Sequence, residues 1–245
     1  MELDRRTALV TGASSGIGAA TVAELARRGM RVRATGRNGT ALEELASRTG
    51  ATFLTADLGR AEEVERVASW AGEVDLVVNN AGVGWAGPLS AIPLDRAEEM
   101  IRVNLLAPVL LTGSLLPGMI ERERGHVVNV ASIAGHLGVG WEAVYAATKA
   151  GMIALSDSLR VELRGLGVGV SVVSPGPVDT AFFERSGHPY ERRFPRLVRP
   201  ERVARWIARA ARHDIAQVFI PGWLAFPAWL HGAFPPLYRR LSRFQ

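Results

Sequence analysis

Thr11-Gly12-Ala13-Ser14-Ser15-Gly16-Ile17-Gly18 joins a short apolar run at 7–11 to a helical pattern at 17–28. Glycine lets a chain turn tightly and lets backbone approach a ligand closely. The helix that follows offers unpaired N–H groups and a positive dipole end. A glycine-rich turn between a first strand and a first helix therefore predicts a pyrophosphate cradle. Glycine clustering alone is weaker evidence, because an unliganded turn uses the same residues. The position between strand and helix carries the reading.

Working outward, the strand–helix alternation continues almost to the end. Short apolar runs at 7–11, 31–35, 51–56, 75–79, 125–131, 167–174 and 217–220 read as buried parallel strands. Helical patterns fall at 17–28, 41–48, 61–71, 104–123, 143–166 and 200–212. Repeated β-α units predict an α/β fold, a doubly wound parallel sheet of about seven strands with helices on both faces. No linker or repeat interrupts it, so residues 1–245 are expected to form a single domain. Two segments leave the rhythm: an arginine- and aromatic-rich stretch at 181–199, and a proline- and tryptophan-rich tail at 221–245.

Composition narrows the class. The chain is 48% hydrophobic and 22% charged, with net charge +5, ordinary for a soluble protein with a sizeable core. Arginine is spread along the chain, so no nucleic-acid partner is expected. There is no cysteine, which excludes disulfides and thiolate metal sites, and no metal is expected. The N-terminus runs straight into a strand pattern, so no signal peptide is expected, and a cytoplasmic location is. Of the 29 Lys and Arg residues only Lys149 is lysine. It follows Tyr145 by four positions, which puts both on one helix face. An ammonium beside a phenol favours phenolate, so the two make a proton-transfer pair.

The TGxxxGxG spacing at Thr11–Gly18 resembles the short-chain dehydrogenase/reductase family, in its subgroup of about 250 residues. The resemblance extends through Asn79-Asn80-Ala81-Gly82 after the fourth strand, Asn104, Ser132 after the fifth, Tyr145-x-x-x-Lys149, and Pro175-Gly176-Pro177-Val178-Asp179-Thr180 after the sixth. It covers nearly the whole chain and implies an oxidoreductase that interconverts an alcohol and a carbonyl with a nicotinamide cofactor.

The implied roles are as follows. Tyr145 is general acid in reduction and base in oxidation. Lys149 lowers the Tyr145 pKa and holds the nicotinamide ribose. Ser132 positions the substrate oxygen. Asn104 holds a water in a relay toward Lys149. Gly12, Ser14, Ser15, Gly16, Ile17 and Gly18 cradle the pyrophosphate. Asp57 and Leu58 contact adenine, with Asp57 also a candidate N-cap for the third helix. Asn79 is expected near the adenosine side. Asn80, Ala81 and Gly82 stabilise the sheet or line the nicotinamide pocket. Pro175, Gly176 and Val178 pass along the nicotinamide, whose carboxamide Thr180 bonds unless it only caps a helix.

Cofactor choice turns on the end of the second strand. An acidic residue there binds the ribose 2′-hydroxyl of NAD, and an arginine accommodates the 2′-phosphate of NADP. Here Gly36 stands at the acidic position and Arg37 follows. NADP (NADPH) is the expected cofactor, with Arg37 on the phosphate.

The substrate pocket is expected at the carboxyl ends of the strands. Trp85, Ala134, Trp141, Phe182 and Phe183 predict an apolar, aromatic lining for a lipophilic or aromatic carbonyl. His136 is either a polar contact in it or a solvent-facing loop residue. Residues 181–199 form a candidate lid with Arg185, Arg192, Arg193, Arg196 and Arg199, which either face solvent or meet an anionic substrate group. No charged residue occurs from Phe219 through Leu237. Pro221, Pro227, Pro235 and Pro236 break any single helix there. The tail caps the pocket, covers a subunit interface, or lies on a membrane surface with Arg239, Arg240 and Arg243 at headgroups. A homodimer or homotetramer is expected, a dimer first, through the helices at 104–123 and 143–166. Within the enzyme class a steroid-, retinoid- or fatty-acyl-type dehydrogenase is the alternative substrate reading. A non-catalytic dinucleotide-binding sensor is the alternative of another class, and the intact Tyr145/Lys149 pair argues against it.

Overall fold

Seven strands form one all-parallel sheet in the order β3-β2-β1-β4-β5-β6-β7. They are β1 (Thr7–Thr11), β2 (Arg31–Gly36), β3 (Thr52–Thr55), β4 (Leu76–Asn79), β5 (Gly125–Val130), β6 (Val168–Pro175) and β7 (Gln217–Ile220). The structure, a computed structural model, describes residues 1–187, 189–191 and 194–236. Arg192 and Arg193 of the candidate lid, and Arg239, Arg240 and Arg243 of the tail, lie outside the described residues.

The central strands are buried on both faces, which is why they read as continuous apolar runs. Successive side chains of β1 enter opposite cores. Ala8 and Val10 pack with Val22 and Leu25 of α1 (Gly16–Arg27), Leu42 and Leu45 of α2 (Gly39–Thr49), and Ile207 of α8 (Pro200–His213). Leu9 packs with Val64 and Val67 of α3 (Ala61–Ala71) and with Leu111 and Leu115 of α5 (Ala107–Glu121). Met152 of α6 (Ala143–Glu162) joins Ala131 and Val172 on that second side.

Strand order reverses between β1 and β4, and the crevice at that switch point opens at the strands' carboxyl ends. Every loop singled out in the sequence leaves the sheet at that edge.

Three elements depart from expectation. The fourth helical stretch begins earlier than 104: α4 (Leu94–Ile101) runs through a π-segment, Arg102–Leu106, into α5. Only Met100 of α4 is buried, so its charged exterior hid the helix from an apolar pattern. The joined helix, Leu94–Glu121, has 28 residues and contains an 18-residue window of mean hydropathy 1.7, long and apolar enough to cross a membrane by length and composition. Here its Leu111, Leu115 and Met119 face the sheet. In the tail, the prolines bracket a helix: Pro221 precedes it, and Pro227 lies in the first turn of α9 (Ala225–Ala233), where no intrahelical N–H bond is lost. Between β6 and α8 lies one short helix, α7 (Phe182–Arg185), and Val178 bridges Val198.

Candidate active site

The glycine loop is held by backbone contact. Gly12 has φ +64°, and a Cβ there would stand 2.7 Å from the Cα of Ala81. Gly16 has φ +55°, and its Cβ would meet Thr180 Cγ2 at 2.9 Å. Thr11 Oγ1 accepts the N–H groups of Asn80 and Ala81, each at 3.0 Å, and Asn80 Nδ2 donates to the Thr11 carbonyl at 2.9 Å. The loops after β1 and β4 are thus one unit, and Asn80-Ala81 is its lock. Gly12, Ser14, Ser15, Gly16 and Ile17 line a cleft of about 1590 Å³. Gly18 lies behind it, against the Gly12 carbonyl. Ser15 is the N-cap of α1 but makes no side-chain cap bond. Its Oγ instead accepts Arg185 Nη2 at 3.3 Å, so the lid reaches the glycine loop.

At the other end of the loop, Gly36, Arg37, Ala56, Asp57, Leu58 and Val103 line the cleft. Arg37 Nη1 donates to Glu99 Oε1 of α4 at 3.1 Å, and Arg96 holds the other oxygen of Glu99. Asp57 Oδ1 accepts the Gly59 N–H at 3.1 Å. Asp57 is not the α3 N-cap; that residue is Arg60.

Asn79 requires a correction. It is absent from the cleft lining. It is buried in the sheet, donating to Asn129 Oδ1 at 2.8 Å and Thr112 Oγ1 at 3.0 Å. It belongs to a polar network extended by Asn129 Nδ2 to Ser156 Oγ at 2.9 Å. Strand parity explains this: Asn79 shares the face of Val77, which packs on α3 and α5.

Ser132, Tyr145 and Lys149 line the cleft together. Ser132 is extended after β5, and its Oγ accepts the Ala134 N–H at 3.1 Å. Lys149 is 4% exposed and donates to the Val130 carbonyl at 2.9 Å, with Nζ 5.8 Å from the Tyr145 ring centroid. Burial pushes the Tyr145 phenol up, the Ser132 hydroxyl opposes that, and the Glu142 charge adds to it. The lowering expected from Lys149 does not show among these causes; burial sets the direction. Desolvation also brings Lys149 down to about 8.

Asn104 is fully buried. Its Oδ1 accepts the Val83 N–H at 2.8 Å, and Nδ2 donates to the Val83 carbonyl at 2.9 Å and Thr148 Oγ1 at 3.2 Å. The side chain therefore fixes the Gly82–Val83 turn. The main-chain carbonyl of Asn104 has no N–H at its i+4 position, because that residue is Pro108. Gly82 keeps polar ground open beside it. A Cβ there would stand 3.5 Å from Asn104 Oδ1 and 3.6 Å from Lys149 Nζ.

After β6, Pro175, Gly176, Val178 and Thr180 also line the cleft. Thr180 Oγ1 accepts the Phe182 N–H at 3.3 Å at the start of α7. The apolar end brings Ala134, Trp141, Phe182 and Phe183 to the wall. Tyr145, Phe182, Phe183 and Tyr190 form a ring chain with centroids 5.4, 5.8 and 5.1 Å apart in turn.

Trp85 and His136 are not in the lining. Trp85 folds its ring onto Gly87, where the missing Cβ makes room. His136 bonds Ser174 Oγ at 3.0 Å and packs on Phe219, centroids 4.9 Å apart. It is half-buried beside the cleft rather than on its wall, and burial pushes its pKa down. The sequence reading missed Tyr190, Phe194 and Trp223, which line the cleft. Phe194 and Trp223 stack with centroids 5.3 Å apart. Their partnership is between a lid and a tail, which no local pattern reveals.

A short chain dehydrogenase family model matches residues 6–191. An uncharacterized oxidoreductase of Myxococcus xanthus is 36% identical over 99% of this chain and 98% of its own length. The 1-deoxy-11-beta-hydroxypentalenate dehydrogenase of Streptomyces exfoliatus is 43% identical over 74% of this chain and 70% of its own. Among solved structures, a Sphingobium yanoikuyae short-chain dehydrogenase in complex with NADPH superposes with TM-score 0.84 at 27% identity, covering 94% and 95% of the two chains. A Burkholderia phymatum short chain dehydrogenase/reductase in complex with NAD gives 0.87 at 25%, covering 97% and 96%. Sheet, loops and relatives agree, and the chain belongs to the short-chain dehydrogenase/reductase family, as an oxidoreductase of CH–OH groups served by a nicotinamide dinucleotide.

Proposed function

We propose that the protein interconverts a secondary alcohol and a ketone or aldehyde, lipophilic or aromatic, with NADP(H), using Tyr145 as general acid/base. The observation that carries this is the convergence of Ser132, Tyr145 and Lys149 on the cleft that begins at the glycine loop, with Lys149 Nζ 5.8 Å from the Tyr145 ring centroid. The cradle fits a dinucleotide: bare glycine backbone at Gly12 and Gly16 leads to the start of α1, and the cleft has volume for substrate besides. When bound there, the nicotinamide supplies the hydride in reduction and accepts it in oxidation.

The chain's own residues handle the proton. Ser132 Oγ donates to the substrate carbonyl oxygen and fixes it beside the phenol. Tyr145 gives that oxygen its proton and is left as phenolate. The Lys149 ammonium stabilises the phenolate, and a proton returns from water beside Lys149 and Asn104. The Asn104 amide is committed to Val83 and Thr148, so its main-chain carbonyl is the acceptor for that water. The raised Tyr145 pKa keeps the phenol protonated near neutrality, the form reduction needs. Arg37 takes the 2′-phosphate. The apolar ring chain supports a lipophilic carbonyl, and a steroid-, retinoid- or fatty-acyl-type substrate fits the same wall.

Residues 1–245 act as one domain with 181–199 as lid, and the tail's Trp223, Leu224 and Pro227 on the cleft wall support a capping role. Exposed Ile101, Leu106, Val109, Leu110 and Val161 on α4–α6 support a homodimer through those helices. Exposed Phe226, Trp229 and Phe234 leave α9 an apolar face for a membrane surface. A cytoplasmic enzyme is the setting we infer.

Tyr145→Phe tests the central claim. It removes only the phenolic oxygen and its proton, so NADPH binding persists while turnover falls by roughly 10²–10⁴-fold. Wild-type turnover in that variant would refute the assignment.

A further inference from the structure

Beside the cleft mouth lies a second groove of about 360 Å³, lined by Arg196, Arg199, Arg202 and Arg205. Phe194, Pro195 and Trp223 line both spaces, so the Phe194–Trp223 stack is the wall between them. Among the described residues, no aspartate or glutamate lines the groove. Arg202 and Arg205 stand three residues apart on the exposed side of α8, Arg199 is that helix's N-cap residue, and Arg196 approaches from the lid.

None of the four forms an ion pair with a described carboxylate. Other surface arginines do sit beside carboxylates: Arg27 and Arg28 share Glu24, Arg66 pairs with Glu63, and Arg160 with Asp214. Four like charges around one concavity repel one another and raise the local concentration of anions. The planar guanidinium fork matches the oxygens of a phosphate, and several forks converging on one point add charge-assisted bonds.

We propose that this groove is a subsite for a phosphate group, reached from the cleft across the Phe194–Trp223 stack. It rests on the reading of the cleft as a carbonyl/alcohol site, and it names the substrate class: an apolar carbonyl or alcohol with a phosphate ester at its far end. The phosphate belongs to the substrate itself or to a lipid headgroup beside which the substrate is presented.

The test compares NADPH-dependent reduction of two matched apolar ketones, one ending in a hydroxyl and one in a phosphate monoester. Wild type is compared with the Arg202→Ala/Arg205→Ala double variant, whose changes are on exposed side chains. Wild-type kcat/KM is expected to favour the phosphate ester by about tenfold, the value of roughly one well-placed charged contact. The double variant loses that preference, keeps its rate on the neutral ketone, and no longer responds to inorganic phosphate as a competitor. A second arm sediments both proteins with phosphatidylcholine vesicles, with and without phosphatidylglycerol. Retention of wild type but not the variant on the anionic vesicles, with no gain for the soluble ester, assigns the phosphate to a headgroup. Calorimetry of the phosphate ester reads the groove without turnover, so failure of the carbonyl reading leaves that result standing. If neither ester nor anionic vesicles distinguish the two proteins, the proposal falls.

Discussion

Lys149 donates its ammonium to the main-chain carbonyl of Val130 at 2.9 Å, a bond that ties the catalytic helix to the end of the fifth strand. The side chain is 4% exposed, with its Nζ 5.8 Å from the Tyr145 ring centroid. Arginine keeps the charge but replaces the compact ammonium with a broad planar fork, which cannot make the Val130 bond from the same place. Lys149→Arg is therefore expected to lower kcat by about 10²-fold or more, the scale of a disturbed proton-transfer group. Steady-state kinetics with NADPH, beside circular dichroism to show an intact fold, checks it. A variant with normal kcat would mean that the only lysine of the chain owes its place to composition.

The pH profile follows from the same burial. Desolvation brings Lys149 down to about 8, so the ammonium is present below that pH and lost as pH rises through it. Burial raises Tyr145, so the phenol stays protonated across the neutral range. Reduction uses the phenol and the ammonium together, so its kcat/KM is expected to be flat near neutrality and to fall on the alkaline side of about 8. Oxidation starts from phenolate and should instead rise with pH over that range. Parallel profiles in the two directions would remove Tyr145 from the proton path.

Cofactor preference depends on a competition. Glu99 already holds Arg37 at 3.1 Å, and Arg96 holds Glu99. A 2′-phosphate must draw Arg37 from that carboxylate, and exposed pairs of this kind are worth about 0.2–1 kcal/mol. Arg37→Ala should lower kcat/KM for NADPH by about tenfold and leave NADH unchanged. Glu99→Gln frees the guanidinium and should raise the NADPH value by roughly two- to fivefold, by the same exposed-pair energy. An unchanged NADPH/NADH ratio in Arg37→Ala would end the NADP assignment.

Residues whose chemistry is local were legible in the sequence. The turn from Thr11 to Gly18 needs glycine where φ is positive, and Tyr145 and Lys149 are neighbours by helical spacing alone. Positions that depend on distant partners were not. Arg37 and Glu99 are 62 residues apart, and nothing near either marks the pair. His136 and Trp85 sit in loops, where no periodicity says which way a side chain turns. Asn79 is different. It lies in a strand, and counting by twos from Val77 already assigns it to the helix-packed face.

Trp223 offers a test of the cleft wall. Its ring stacks on Phe194 and lines the cleft, though it comes from the tail. Trp223→Ala removes both the wall and the stack, which aromatic pairing values at about 0.5–1.5 kcal/mol. KM for a bulky apolar ketone is expected to rise by about tenfold, with small ketones unaffected. Equal losses on both would show that the tail supports the fold rather than the pocket.

His126 governs acid stability. It is 2% exposed in β5, and its Nε2 bonds Ser171 Oγ at 2.8 Å. Burial lowers its pKa from 6.5 to about 4; the Asp214 charge opposes this, while the N-terminal ammonium and Arg160 add to it. Between those values the unfolded chain binds a proton that the native chain refuses. Stability from this group is thus fully present above about 6.5 and is lost as pH falls through about 4. The window amounts to on the order of 3 kcal/mol. Asp75 and Glu24, whose carboxyls are lowered, lose their contributions further toward acid. Urea unfolding of wild type should therefore weaken between pH 6.5 and 4.5, and His126→Asn should flatten that slope whatever it costs at pH 7. An equal slope in both proteins would place the acid sensitivity in the carboxylates instead.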